Sequence, residues 1–140
     1  MHYNAITRRY FDSAPGAGVL IGPAVGRGAA GSRTQGTWVQ FDVQADFATT
    51  GSPLLAAARF LAFACPHTIA ACAWVVEHAV GRRLDAGLPE SVRELSLLLG
   101  SPVEKLGRLL TVEDAWLAAL SAAAARRVTV VAARDRAGPA

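Results

Sequence analysis

Among the side chains able to act as nucleophile or metal ligand, Cys65 stands in the most telling surroundings. An apolar strand, Arg59–Ala64, runs into it, and Pro66 follows at once. Proline is favoured at the first position of a helix, because its missing N–H costs nothing there. A helix is therefore expected from Pro66 to about Gly81. That places Cys65 near a helix N-terminus, where free N–H groups and the macrodipole favour negative charge. A thiol so placed tends toward the thiolate, the form that attacks electrophiles and binds metals. His67, in the first turn, stands within reach of anything Cys65 holds. The two form too small a ligand set for a metal without a water, Asp42 or a second chain, and a solvated first-turn histidine is the plainer reading. Cys72, seven residues beyond Cys65, falls on the stripe expected to face the core. Seven residues of helix span roughly 10 Å, which rules out a disulfide between the pair.

The elements that must position this thiol follow from the hydrophobic pattern. Residues 2–11 show Tyr3, Ile6, Tyr10 and Phe11 at helical spacing, ended by Ser13-Ala14-Pro15-Gly16. Val19–Ile21 suggests a short strand. Gly22 to Gly36, rich in glycine and alanine, is expected to be a mobile loop. It has no Gly-Lys-Ser/Thr ending, so a phosphate loop is excluded. Trp38–Gln44 alternates, with Val39, Phe41 and Val43 on the buried face and Gln40, Asp42 and Gln44 on the other. Thr49 to Pro53 is a turn, and Leu55–Phe63 forms a second strand in a hairpin with the first. In the helix from Pro66, Ile69, Cys72, Ala73, Val76 and Val80 form the core stripe, with Trp74 and His78 a surface pair. A helix over Pro89–Leu99 follows, then one from Val103 to about Arg126 with Leu106, Leu110, Leu117 and Leu120 inward. Strands followed by helices indicate an α+β fold, a small antiparallel sheet of about three strands packed against helices. One domain over residues 1–133 is expected, with a disordered tail over residues 134–140.

Composition narrows the function classes. Hydrophobic residues make up 52% of the 140, which favours a packed core over disorder. The net charge of +3 comes from dispersed arginines without a basic face interleaved with aromatics, so no nucleic acid is expected as partner. No run of about 18 apolar residues exists, so no membrane span is expected. The polar, basic first residues do not read as a secretory leader. Two cysteines make no disulfide framework, and a cytoplasmic location is expected. No carboxylate pair is placed for acid–base work, so the chain is not expected to be an enzyme.

Several segments, taken in order, resemble the iron–sulfur cluster assembly scaffolds, IscU and the N-terminal domain of NifU. Tyr3 and Tyr10, then Pro15-Gly16, are similar to the family's first helix and turn. Gly31-Ser32-Arg33-Thr34-Gln35-Gly36-Thr37 stands where the family has Gly-x-x-x-Cys-Gly-Asp. Ala58-Arg59-Phe60, Cys65, Ile69-Ala70, Glu77, Gly81 and Leu84 match the central segment. Leu99-Gly100-Ser101-Pro102-Val103-Glu104-Lys105 resembles a loosened Leu-Pro-Pro-Val-Lys chaperone-recognition motif. By that alignment the family's other ligand positions hold Gln35, Thr37, Gly107 and Arg108, and Cys65 alone is retained. A cluster needs several thiolate ligands, and one copy of this chain does not supply them.

The resemblance implies a degenerate scaffold with Cys65 as its one cluster ligand or its persulfide-accepting thiol. Its implied partners are a cysteine desulfurase, an assembly chaperone or another scaffold chain, including a second copy in a homodimer. Pro102, Val103, Lys105 and Tyr3 are the implied partner-binding residues. An iron–sulfur cluster or iron is the implied cargo, shared between chains rather than held on one. Two other readings stand beside it. One is a binding or regulatory module that docks on the same partners without the chemistry. The other is an unrelated metal protein using Cys65 and His67.

Overall fold

The computed structural model describes residues 2–47 and 51–137, with side chains described as far as Arg126. Helix α1 spans Ala5–Ser13, strand β1 Val25–Ser32, β2 Thr37–Asp46 and β3 Leu54–Phe63. Helix α2 follows at Pro66–Ala79, α3 at Val92–Leu99, a 3-10 turn at Val103–Lys105 and α4 at Leu106–Ala137. The strands form one antiparallel sheet in the order β1-β2-β3. This is the expected α+β architecture.

β2 is the centre of the molecule. Val39, Phe41 and Val43 are wholly buried, as the alternation predicts. Phe41 meets Trp116 of α4 edge to face, with centroids 5.0 Å apart, a favoured aromatic geometry. The opposite face differs from expectation. Asp42, assigned to the polar side, is only 1% exposed. Its two oxygens accept from Arg27 Nε at 2.7 Å and Nη2 at 2.9 Å, and from the Leu20 N–H at 2.9 Å. A buried carboxylate survives only when paired and hydrogen-bonded in this way. The guanidinium holds the Asp42 carboxyl below the usual carboxylate range, together with the Leu20 N–H, against the opposing effect of burial.

The Asp42 bond accounts for residues 14–22. Val19–Ile21 is not a strand. The segment pairs with the edge of β3 where Gly18 N–H donates to Phe60 O at 2.8 Å and Phe60 N–H to Gly16 O at 3.0 Å. It then crosses to Asp42 on the central strand before β1 begins.

The glycine-rich stretch is the main correction. Residues 25–32 are not a loop but strand β1, paired with β2 from Val25↔Gln44 to Ser32↔Thr37. Gly and Ala are poor strand formers, and the pattern hides a packing requirement. A Cβ at Gly26 would lie 2.2 Å from Ala123 N, and one at Gly28 2.2 Å from Ala119 N. β1 lacks side chains there because the α4 backbone occupies the space, one of the uses of glycine inside a strand.

α4 carries Leu109, Val112, Ala115, Trp116, Ala119, Leu120 and Ala123 on its buried face. Leu110 and Leu117, expected inward, are nearly half exposed, because that close approach to β1 turns the small alanines rather than the leucines toward the sheet. The helix continues to Ala137, into the segment read as a tail; residues 138–140 lie outside the described residues, as do 49 and 50 of the expected turn. α2 is buried nearly all round, with Ala70, Ala71, Cys72, Ala73 and Val75 fully covered, whereas Val80 is half exposed beyond its last turn. α3 starts at Val92, capped by Ser91 Oγ accepting from the Glu94 N–H at 3.1 Å. α1 is capped by Asn4 and buries Thr7 and Tyr10, while Ile6 and Phe11 are exposed. Thr7 Oγ1 donates to Leu99 O at 2.6 Å and ties α1 to the end of α3.

Candidate thiol site

One end of the sheet gathers the residues of interest. The β1–β2 turn closes at Ser32↔Thr37, and Trp38 pairs with Phe63 at the exit of β3. Cys65 lies just past that exit, and α4 begins alongside, with Thr111 packed against Gly31.

Cys65 is the N-cap residue of α2, in extended conformation, with Pro66 in the first turn. Its carbonyl accepts the Ile69 N–H at 3.0 Å, so the helix starts on this residue as the sequence predicts. The side chain is half-buried. Its sulfur lies 3.3 Å from Thr68 Oγ1. Partial burial works against ionisation, but the Thr68 hydroxyl and N–H, the Arg108 guanidinium and the Lys105 ammonium together hold the thiol below its ordinary pKa. Cys72 is the opposite case, because complete burial pushes its thiol far up.

His67 is not a solvated histidine. It is 1% exposed, covered by Tyr3, whose ring meets the imidazole edge to face at 4.8 Å. Nδ1 lies 3.5 Å from Lys105 Nζ. An ammonium only donates, so Nδ1 is the acceptor and the ring proton resides on Nε2. Nε2 is buried without a hydrogen-bond partner among the described residues. Burial and the neighbouring ammonium both lower the His67 pKa, which keeps the ring neutral.

The other predicted positions divide. Arg108 at the start of α4 and Lys105 in the turn before it both lower the Cys65 pKa. Gly107 is exposed beside them. Gln35 is exposed in the β1–β2 turn, its N–H donating to Ser32 Oγ at 3.2 Å. Thr37 is 8% exposed at the head of β2. Neither shares a hydrogen bond with Cys65. In the segment read as partner-binding, Val103 is 78% exposed and Pro102 half-buried. Among the described residues no three His, Cys, Asp or Glu side chains converge on a common metal position, so the donor set present does not fit a cluster held by one chain. Trp74 and His78 stack at 4.0 Å, with His78 Nδ1–H donating to Trp74 O at 2.8 Å, as a pair away from this site.

Sequence reasoning passed over Thr68. Its signal was available, since Thr68 is the third residue after the N-cap and so stands over the cap side chain, where its hydroxyl lies 3.3 Å from the sulfur. The joining of Lys105 and Arg108 to the thiol is tertiary and left no local trace.

An apolar groove of about 410 Å³ lies apart from the thiol, lined by Phe47, Pro53, Leu84, Leu117, Leu120 and Ala124. Among the described residues no helix is long and apolar enough to cross a membrane.

No protein-family profile matches the chain. A stretch of 52 residues is 48% identical to ribonuclease Z of Pyrobaculum neutrophilum. It covers 34% of this chain and 18% of that protein's length, too little to show membership. In three dimensions the chain is similar to a putative iron–sulfur cluster assembly scaffold protein for the SUF system from the thermophile Fervidobacterium islandicum AW-1. The TM-score is 0.53 at 10% identity, over 84% of this chain and 96% of the other. At that identity the likeness is one of fold.

Proposed function

We propose that the chain is a divergent, non-enzymatic member of the iron–sulfur assembly machinery that takes up sulfur on Cys65 instead of building a cluster by itself. The observation carrying this reading is the Cys65 thiol at the N-terminus of α2, favoured as thiolate by Thr68, Arg108 and Lys105. The shared fold with a putative assembly scaffold supports the same class of role. Positively charged neighbours suit an anionic sulfur species. Iron or a cluster is cargo on this reading, completed by ligands from another chain. The setting is the reducing cytoplasm, and the sulfur source is a cysteine desulfurase.

The transfer is a thiol–persulfide exchange. The Cys65 thiolate attacks the terminal sulfur of the donor persulfide, a sulfur–sulfur bond forms at Cys65, the donor's own breaks, and the donor leaves as its thiolate. No net oxidation occurs.

Incubating the full chain with a cysteine desulfurase and cysteine without oxygen tests this by intact mass. The expected result is the gain of one sulfur atom, absent in Cys65→Ser. No gain in the wild-type chain refutes the proposal. The docking-module reading is favoured by the exposed Val103 beside Pro102. It stands instead if the chain binds the desulfurase or the chaperone, never takes up sulfur, and binds equally well as Cys65→Ser.

A further inference from the structure

We infer that the open face of the sheet is a stacking platform for single-stranded nucleic acid, with bases on Trp38 and Phe63 and the phosphate backbone held by Arg33 and Arg59. This goes beyond the sulfur-acceptor reading and does not involve Cys65.

Strand register builds the platform in three rungs. Gly31, Trp38 and Phe63 lie side by side across β1, β2 and β3, then Ala29, Gln40 and Leu61, then Arg27, Asp42 and Arg59. These positions alternate with Val39, Phe41 and Val43, which are buried on the face that meets α4. An antiparallel sheet with one face in water normally turns polar side chains to that side. Here Phe63 is 52% exposed and Leu61 38%, and Trp38 is partly exposed and stands outside the core cluster. The segment that crosses to Asp42 at Leu20 borders this face with exposed Val19 and Ile21.

The two rings are available for stacking. Ring contacts among the described residues join Tyr3 to His67, Tyr10 to His78, Phe41 to Trp116 and Trp74 to His78, and neither Trp38 nor Phe63 takes part. Trp38 instead carries the Arg33 guanidinium over its ring, 5.5 Å from the centroid. A guanidinium plane is itself a surface on which a base stacks.

Charge selects the occupant. Asp42 is the one carboxylate in the three rungs, and Arg27 neutralises it. The other ion pair among the described residues is Arg83–Asp85, so the exposed Arg33 and Arg59 have no carboxylate partner. The aromatic rung and the Arg59 rung are four residues, or about 13 Å, apart along the strands, so one extended ligand meets both. A polyanion that carries flat rings along its backbone complements this arrangement. Every base has a π-face, so a basic track with exposed aromatics holds single strands without reading sequence. An acidic polypeptide also matches the arginines, but the adjacent open rings favour bases. The sequence showed only dispersed arginines, because Arg33, Trp38, Arg59 and Phe63 are brought together by the pairing of three strands.

Titrating the full chain at low salt against a fluorescein-labelled oligouridylate of about eight nucleotides tests this by anisotropy, the length being within the footprint of a small domain. Binding is expected, and Trp38→Ala and Phe63→Ala should each weaken it by about tenfold, one stacked base apiece. Phe63 is half exposed, so Phe63→Tyr against Phe63→Leu separates the ring from any effect on folding: the tyrosine variant should bind as the wild type does, and the leucine variant more weakly. Cys65→Ser and Arg93→Gln, an exposed arginine on α3, should change nothing. The logarithm of affinity should fall against that of salt with a slope of about −1.4 for two neutralised phosphates, and Arg33→Gln or Arg59→Gln should each reduce it by about 0.7. A duplex of the same length hides its base faces and should bind about tenfold more weakly. No binding at low salt, equal binding of the duplex, or binding that survives Phe63→Leu unchanged overturns the inference. Tighter binding of a glutamate–tyrosine copolymer than of the oligouridylate also overturns it and assigns the face to an acidic protein partner.

Discussion

The two cysteines of α2 share a helix and little else. Cys65 is at the first turn, partly exposed, with a hydroxyl 3.3 Å from its sulfur and two cations that lower its pKa. Cys72, two turns on, has no exposed surface and is packed among apolar side chains. The same helix therefore favours ionisation at its start and forbids it in its middle. Reactivity is set by where along the element a thiol falls and by what the tertiary fold brings to it, not by the residue type.

The most drastic way to break this contrast is Cys65→Ser. Native labelling by iodoacetamide should drop by about a hundredfold or more, since the remaining thiol is sealed in the core. Labelling of Cys72 should return only in denaturant. Persistent native labelling of the serine variant would mean that Cys72 is reachable and the contrast false.

A second test uses the opposite signs of the two pKa shifts. The Cys72 thiol is raised by burial. Above the unfolded-state pKa of about 8.5 the unfolded chain loses this proton and the native one does not, so stability falls by about 1.4 kcal/mol per pH unit. Cys72→Ala should abolish that slope in urea titrations between neutral and alkaline pH. The folded Cys65 pKa is lowered. Its contribution is fully present above the unfolded pKa and fades as pH drops through the folded value, so Cys65→Ser should remove a slope of the other sign. Slopes of the same sign would contradict the assignment.

Arg108→Gln should slow iodoacetamide at Cys65 by about fivefold at neutral pH, through loss of a cation beside the thiolate. Thr68→Val should slow it by about twofold, the smallest effect, because one neutral hydrogen bond to the sulfur is lost. Stopped-flow or mass-spectrometric labelling rates distinguish the two, and neither substitution should alter the exposure of Cys72.

Much of the fold was legible because its signals are local. Alternation marks β2, proline marks the start of α2, and Ser91 with Glu94 opens α3. β1 was not legible. Its glycines describe the surface of α4, which lies some ninety positions further along the chain, and composition alone turns such a strand into a loop. The same reason explains Asp42, whose burial depends on Arg27 from the neighbouring strand and a crossing backbone N–H. At the site, the position of Cys65 was readable from Pro66. The burial of His67 was not, since Tyr3 covers it from before α1. Neither was the lowering of the Cys65 pKa by Lys105 and Arg108, which depends on the packing of α4.

The contact between bare β1 backbone and α4 reaches further than stability. Gly28 receives the helix at Ala119, and Arg108 stands eleven residues earlier on the same rigid rod, about 16 Å away. The strand thus fixes where the rod sits along its own axis, much as a notch sets a ruler. A methyl group at position 28 would push that rod aside and shift Arg108, one of the groups that lower the Cys65 pKa, so the thiol's acidity is governed in part by a residue that has no side chain.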